Sequence, residues 1–176
     1  MEKRKISMKK ISIVGPESSG KSLLANTLSK SLNCSLTQEY ARKYLNNKNN
    51  YDYDYDDLTQ IAIEQNAIIK KEIKRGGAFL IADTSIIVIE IWSKIKFNKT
   101  DSRIINLSKQ EKFDYYILCK PDIPWVFDSL RENPNDRDYI FKFYLKILKK
   151  RNYNFKIVSG SHATRTLDSL DFIFNN

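Results

Sequence analysis

The chain has 176 residues, a length that suits one domain, residues 1–176, and leaves too little for two separate cores. At 41% hydrophobic and 29% charged residues, the composition supports a buried core and excludes intrinsic disorder. A balance of 30 Lys and Arg against 21 Asp and Glu gives a net charge of +9, which suits nucleic acid, an anionic surface or a phosphate-rich ligand without choosing among them.

The chain starts basic, with Lys3, Arg4, Lys5, Lys9 and Lys10, and no apolar stretch follows these residues. The most apolar run, residues 86–92, is short and contains Glu90, so the sequence predicts neither a secretory leader nor a membrane span and points to the cytoplasm. A strand pattern at 11–14 leads through a glycine-bearing loop into a helix pattern over 21–32. A weaker strand signal near 34–37 precedes Glu39, Tyr40, Ala41 and Arg42. The alternating Tyr and Asp tract over 51–57 reads as a loop feeding a helix over 57–74, which Gly76 and Gly77 end before a strand over 78–82. A helix over 85–95, a strand over 115–119, a helix over 139–149 and a strand over 155–158 complete the alternation. In the third of these, Lys142, Lys146 and Lys149 share one side, and Phe141, Tyr144, Leu145 and Leu148 the other, as in a helix with one solvated face. Strand alternating with helix predicts an α/β fold, a mainly parallel five-stranded sheet flanked by helices. Cys34 and Cys119 have no metal-ligand spacing and read as two reduced thiols. His162 is the only histidine, which argues against a Ser-His-Asp triad or a multi-histidine metal site.

Gly15-Pro16-Glu17-Ser18-Ser19-Gly20-Lys21-Ser22 satisfies G-x-x-x-x-G-K-[ST] between a strand and a helix, the context a phosphate-binding loop requires. Its glycines permit φ > 0 and close approach, so backbone N–H groups and the helix N-terminus can wrap phosphates. Lys21 is expected to reach the β- and γ-phosphates and Ser22 to ligate Mg²⁺. The predicted ATP-binding residues are Gly15, Glu17, Ser18, Ser19, Gly20, Lys21, Ser22 and Leu23.

In doubly wound sheets the remaining chemistry gathers at the carboxyl ends of the strands. Asp83 closes an apolar strand, where it either holds Mg²⁺ or caps the helix beginning at Ile86. Glu39 is either the base for an attacking hydroxyl or a partner of Arg42. Arg131 and Arg137 flank a polar stretch with Pro134 that has the character of a mobile loop; their guanidinium groups either close over the transferring phosphoryl or stay on the surface. Lys21, Glu39, Asp83, Arg131 and Arg137 are thus the candidate catalytic residues, with Ser22 and Asp83 as metal ligands. Asn98-Lys99-Thr100-Asp101 matches a guanine-reading N-K-x-D motif, but it follows a helix pattern and no D-x-x-G accompanies it, which argues against a GTPase.

The phosphate loop, Glu39-Tyr40-Ala41-Arg42, Ile81-Ala82-Asp83-Thr84, and Asp122-Ile123-Pro124-Trp125 through Leu130-Arg131-Glu132 together resemble the NadR-like ribosylnicotinamide kinase domain, in order and over nearly the whole chain. The resemblance implies a nucleoside-kinase-like P-loop NTPase fold and transfer of the ATP γ-phosphate to the 5′-hydroxyl of nicotinamide riboside, giving nicotinamide mononucleotide. Larger relatives carry an additional adenylyltransferase domain, for which this chain has no room, so a stand-alone kinase is expected. Tyr40, Arg42 and Trp125 are the candidate acceptor contacts, with Tyr40, Trp92 or Trp125 offering a face to the flat ring. Gln38 offers an amide suited to a hydrogen-bonding base edge, which favours a conventional nucleoside. The expected partner is a small-molecule nucleoside, with neither nucleic acid nor membrane. The rival readings are a kinase for another nucleoside or nucleotide, and an ATP-dependent switch or nucleic-acid-binding module.

Overall fold

Five strands, β1 (Lys9–Val14), β2 (Ser35–Thr37), β3 (Phe79–Asp83), β4 (Tyr115–Cys119) and β5 (Phe155–Val158), pair in the order β2-β3-β1-β4-β5, every pair parallel. The computed structural model describes residues 7–48 and 52–175; Lys3, Arg4, Lys5 and the Tyr51 end of the tyrosine–aspartate tract lie outside them. β3 and β4 are near-continuous apolar runs because helices cover both faces of the sheet. β1 begins two residues before its apolar run: Lys9 N–H donates to the Ala78 carbonyl (2.8 Å) and Lys10 N–H to the Asp114 carboxylate (2.7 Å).

Seven helices flank the sheet among the described residues: α1 (Lys21–Ser31), α2 (Tyr40–Asn46), α3 (Tyr55–Arg75), α4 (Ile86–Phe97), α5 (Ser102–Gln110), α6 (Arg137–Lys150) and α7 (His162–Phe174). Successive strand residues point to opposite faces, and the core divides accordingly. Ile11, Ile13, Ile81 and Ile117 pack with Leu24 and Leu28 of α1 and with Phe172 and Ile173 of α7. Val14, Tyr116 and Leu118 pack with Ile87 and Ile91 of α4 and with Ile140, Tyr144 and Leu148 of α6. A third cluster joins α2, α3, α4 and α5 through Leu45, Leu58, Ile61, Ile89 and Ile104. Lys142, Lys146 and Lys149 are exposed while Tyr144 and Leu148 are buried, so α6 presents the solvated face its sequence predicts.

Three helices lie outside the expected pattern. α2 is only seven residues long and α5 nine, too short to establish a period. α7 is announced by its cap, since Ser161 Oγ accepts from Thr164 N–H. α3 starts two residues before the expected position because Asp54 accepts from the N–H groups of Asp56 and Asp57, while Asp57 accepts from Asp54 N–H, a reciprocal capping box. The N-K-x-D residues form a turn between helices: Asn98 ends α4 in the left-handed region (φ 53°) and Asp101 caps α5 by accepting from Arg103 N–H.

α4 is capped from outside its own sequence. Its cap residue Ser85 makes no side-chain cap bond, and Glu111 Oε2 accepts from Ile86 N–H at 2.9 Å instead. Among the described residues Glu111 Oε1 is buried without a close hydrogen-bond partner, and burial, opposed by the Ile86 and Ile87 backbone, pushes this carboxyl up to about 8. The native protein therefore keeps a proton that the unfolded chain releases near the ordinary carboxylate range, so stability falls as pH rises from there through about 8. Thermal melts across that window should show wild type losing stability relative to Glu111→Gln as pH rises, the two curves running parallel above it.

Candidate active site

The register places Asp83 beside Ile13 and Leu118 beside Val14, so β1 delivers the phosphate loop into the crevice where strand order reverses. Gly15 has φ 139°, and a Cβ there would lie 2.7 Å from the buried Cys119 carbonyl oxygen, so only glycine lets the loop leave β1 this close to β4. Gly20, at φ 84°, starts α1 without any side-chain cap, which leaves the N–H groups of the first turn available to an anion. Lys21 Nζ and Ser19 Oγ both donate to the Pro16 carbonyl, at 2.6 and 2.7 Å.

The loop is held from behind by Arg165 of α7, which is 3% exposed. Its guanidinium donates to the carbonyls of Ser19 (2.9 Å), Lys120 (3.1 Å) and Gly160 (2.9 Å) and pairs with Asp122. Arg137, the first residue of α6, donates to the carbonyls of Ser18 (3.1 Å) and Ile123 (3.0 Å) and lies over the Trp125 ring.

Two carboxylates face the loop. Asp83 is 6% exposed; burial pushes its carboxyl up, while the Ser22 hydroxyl, Lys21 and Arg42 act against that shift. It does not cap α4, whose first N–H belongs to Glu111. Glu39 sits at the start of α2 and pairs with Arg42 Nε at 3.1 Å. Burial chiefly, and then the Asp83 charge, push its carboxyl up; Lys21 and Arg42 oppose them. Arg42 continues the chain of charges to Asp128 at 2.9 Å.

Residues 126–136 cross the mouth of the site as irregular backbone. Ser18 Oγ accepts from Val126 N–H at 3.0 Å, and the Glu17 carboxylate accepts from the N–H groups of Glu132 and Asn133. Glu132 in turn accepts from the Tyr53 hydroxyl (2.7 Å) and pairs with Lys96, and Trp92 Nε1 donates to Tyr53 (2.8 Å). Beneath this segment lies a cavity of about 270 Å³ that runs from residues 15–23 past Glu39 and Arg42 to Val88, Ile91, Trp92 and Tyr144, with Arg131 and Glu132 at its cover. A second, polar cleft on the other side of Glu39 is lined by Ser22, Gln38, Lys43, Asn46 and Asp83.

All eight predicted nucleotide-loop residues, from Gly15 to Leu23, line the cavity beneath residues 126–136, as do Glu39, Arg42 and Arg131. Asp83 lines only the polar cleft. Tyr40 and Trp125 line neither: Tyr40 packs with the α2–α3 core and Trp125 lies beneath Arg137. The aromatic walls of the cavity are Trp92 and Tyr144. Sequence reasoning treated Tyr144 as core and missed Arg165; a lone arginine in an amphipathic helix gives no sign of the carbonyls it reaches through space.

The sheet order, the helices on both faces and the phosphate loop define a P-loop NTPase domain built like nucleoside and nucleotide kinases. Residues 10–165 match the AAA domain family, and the chain belongs to it. The trifunctional NAD biosynthesis and regulator protein NadR of Salmonella typhimurium is 29% identical over 150 residues, 82% of this chain and 37% of that protein, so the chain spans well under half of the curated relative. A crystal structure of NadR in complex with NR superposes with a TM-score of 0.79 at 20% identity, covering 96% of this chain and 51% of that one. Thymidylate kinase from Ehrlichia chaffeensis matches with a TM-score of 0.65 at 17% identity, over 95% of this chain and 99% of that one. The NadR resemblance carried by the motifs is therefore present along the chain as well as at the loop.

Removing the Arg165 guanidinium would strand Asp122 and three carbonyls behind the loop. Arg165→Met is expected to lower unfolding free energy by about 3 kcal/mol, measured by urea denaturation.

Proposed function

We propose that this chain transfers the γ-phosphoryl group of ATP to the 5′-hydroxyl of a nucleoside, with nicotinamide riboside as the acceptor and nicotinamide mononucleotide as the product. The observation that carries this reading is the cavity joining the phosphate loop to Trp92 and Tyr144, with Glu39 along its wall. A nucleoside has the matching polarity: a hydroxyl for the carboxylate end and a flat ring for the aromatic end. The similarity to NadR, one structure of which holds NR, favours nicotinamide riboside. That ring is cationic, so aromatic faces attract it. Gln38, the residue that favoured a conventional base, lines the polar cleft and not this cavity.

In this reading the N–H groups of the loop and of the α1 N-terminus hold the phosphates, and Lys21 leaves the Pro16 carbonyl to follow the migrating phosphoryl. The Ser22 hydroxyl and the Asp83 carboxylate, which line the same polar cleft, are an oxygen donor pair that fits Mg²⁺. Among the described residues no group of three or more His, Cys, Asp or Glu suits a metal, which accords with an ion held by one or two side chains and phosphate oxygens. Bound there, Mg²⁺ supplies charge neutralisation at the β- and γ-phosphates. Glu39, with its carboxyl raised by burial, takes the proton of the attacking hydroxyl, while Arg42 holds the carboxylate in place. Arg131 meets the transferring phosphoryl from the cover, and Arg137 steadies the loop through the Ser18 carbonyl.

Lys21→Ala should lower turnover on the order of 10²-fold or more if Lys21 stabilises the transition state by about 3 kcal/mol; near-normal turnover in a folded variant would sink the kinase reading. Among acceptors, kcat/KM for nicotinamide riboside should exceed that for uridine, cytidine and the purine nucleosides, measured by coupled ADP release. A tenfold preference for any of the others would reassign the acceptor.

A further inference from the structure

Gln65 of α3 is 0% exposed, and a buried primary amide must satisfy its carbonyl and both N–H donors or lose their hydration uncompensated. Gln65 does so entirely with backbone. Its Oε1 accepts from Tyr40 N–H at 2.8 Å, and its Nε2 donates to the carbonyls of Gln38 (3.3 Å) and Thr84 (3.2 Å). Gln38 and Tyr40 flank Glu39 on either side, and Thr84 directly follows Asp83.

Strand pairing alone does not fix these positions. β2 is a three-residue edge strand whose rungs with β3 end at Thr37 and Ala82. Past that rung both chains turn, and each turn carries a carboxylate of the site. The two carboxylates repel one another, which favours separation of the strand ends. Thr84 holds φ 89°, a conformation costly for a β-branched residue that persists only where its surroundings fix it. The Gln65 amide supplies the bonds that the ladder lacks, tying the backbone around Glu39 to the backbone after Asp83.

We propose that Gln65 is a positioning residue for phosphoryl transfer, setting the separation and orientation of Glu39 and Asp83 through the backbone that carries them. This rests on the kinase reading above. Gln65 lines neither the cavity nor the polar cleft, so its loss should be felt in the chemical step and not in nucleotide binding.

Gln65→Met keeps the volume and removes all three bonds; Gln65→Glu keeps an acceptor for Tyr40 but turns both donors into acceptors facing carbonyls. In each, kcat for nucleoside-dependent ADP release should fall about 10- to 100-fold, the scale of a misplaced catalytic group, with KM for ATP within about twofold of wild type. The Tyr40 amide should exchange with deuterium faster in Gln65→Met. A folded variant with wild-type kcat, or a loss confined to KM for ATP, overturns the proposal; if Gln65→Met fails to fold, Gln65→Glu decides it. Wild-type protein that turns over no nucleoside overturns the kinase reading instead, and the anchor is then judged on exchange alone, where an unchanged Tyr40 amide overturns it.

Discussion

A loop that turns its N–H groups toward a phosphate must turn carbonyl oxygens away from it, and carbonyls facing the protein interior need donors. Much of what surrounds residues 15–22 answers that requirement. Pro16 receives Ser19 and Lys21, Ser18 receives Arg137, and Ser19 receives Arg165. The two arginines come from the first turns of α6 and α7, whose apolar faces pack on opposite faces of the sheet. The burial of those helices is thus what brings the donors within reach of the loop.

The front of the loop is tied as well, through side chains that the P-loop pattern leaves unspecified. Glu17 and Ser18 occupy x positions, yet they accept the N–H groups of the segment that covers the cavity. That segment is linked through Glu132 and Tyr53 to Trp92 in the cavity wall. A continuous path of hydrogen bonds therefore joins the wall where a ring would rest to the loop where phosphates would rest. It passes through the cover, so the two halves of the site share one element.

The strands were legible because parallel strands buried on both faces become uninterrupted apolar runs, as in residues 115–119. The phosphate loop was legible because its geometry demands glycine at fixed spacing. Glu39 and Asp83 followed from the rule that chemistry collects at strand ends. Of the two aromatic walls, Trp92 was among the ring-face candidates, whereas Tyr144 has the spacing of a core residue on α6, and Trp125, another candidate, lies under Arg137 instead. Which face of a helix looks into a cavity depends on how the helices cross, and that information is spread over contacts distant in sequence. Glu111 illustrates the same limit, since it caps a helix that begins 25 residues earlier.

The contact between Gly15 and Cys119 also bears on how the protein meets oxidants. Cys119 is fully buried in the strand that the loop presses against, and burial pushes its thiol up to about 11. Burial raises the Cys34 thiol as well. Peroxides and disulfides react with thiolates, and a thiol kept neutral reacts slowly. The floor of the phosphate site thus carries sulfur without carrying redox sensitivity, and thiol-directed reagents would find Cys34 the more accessible of the two.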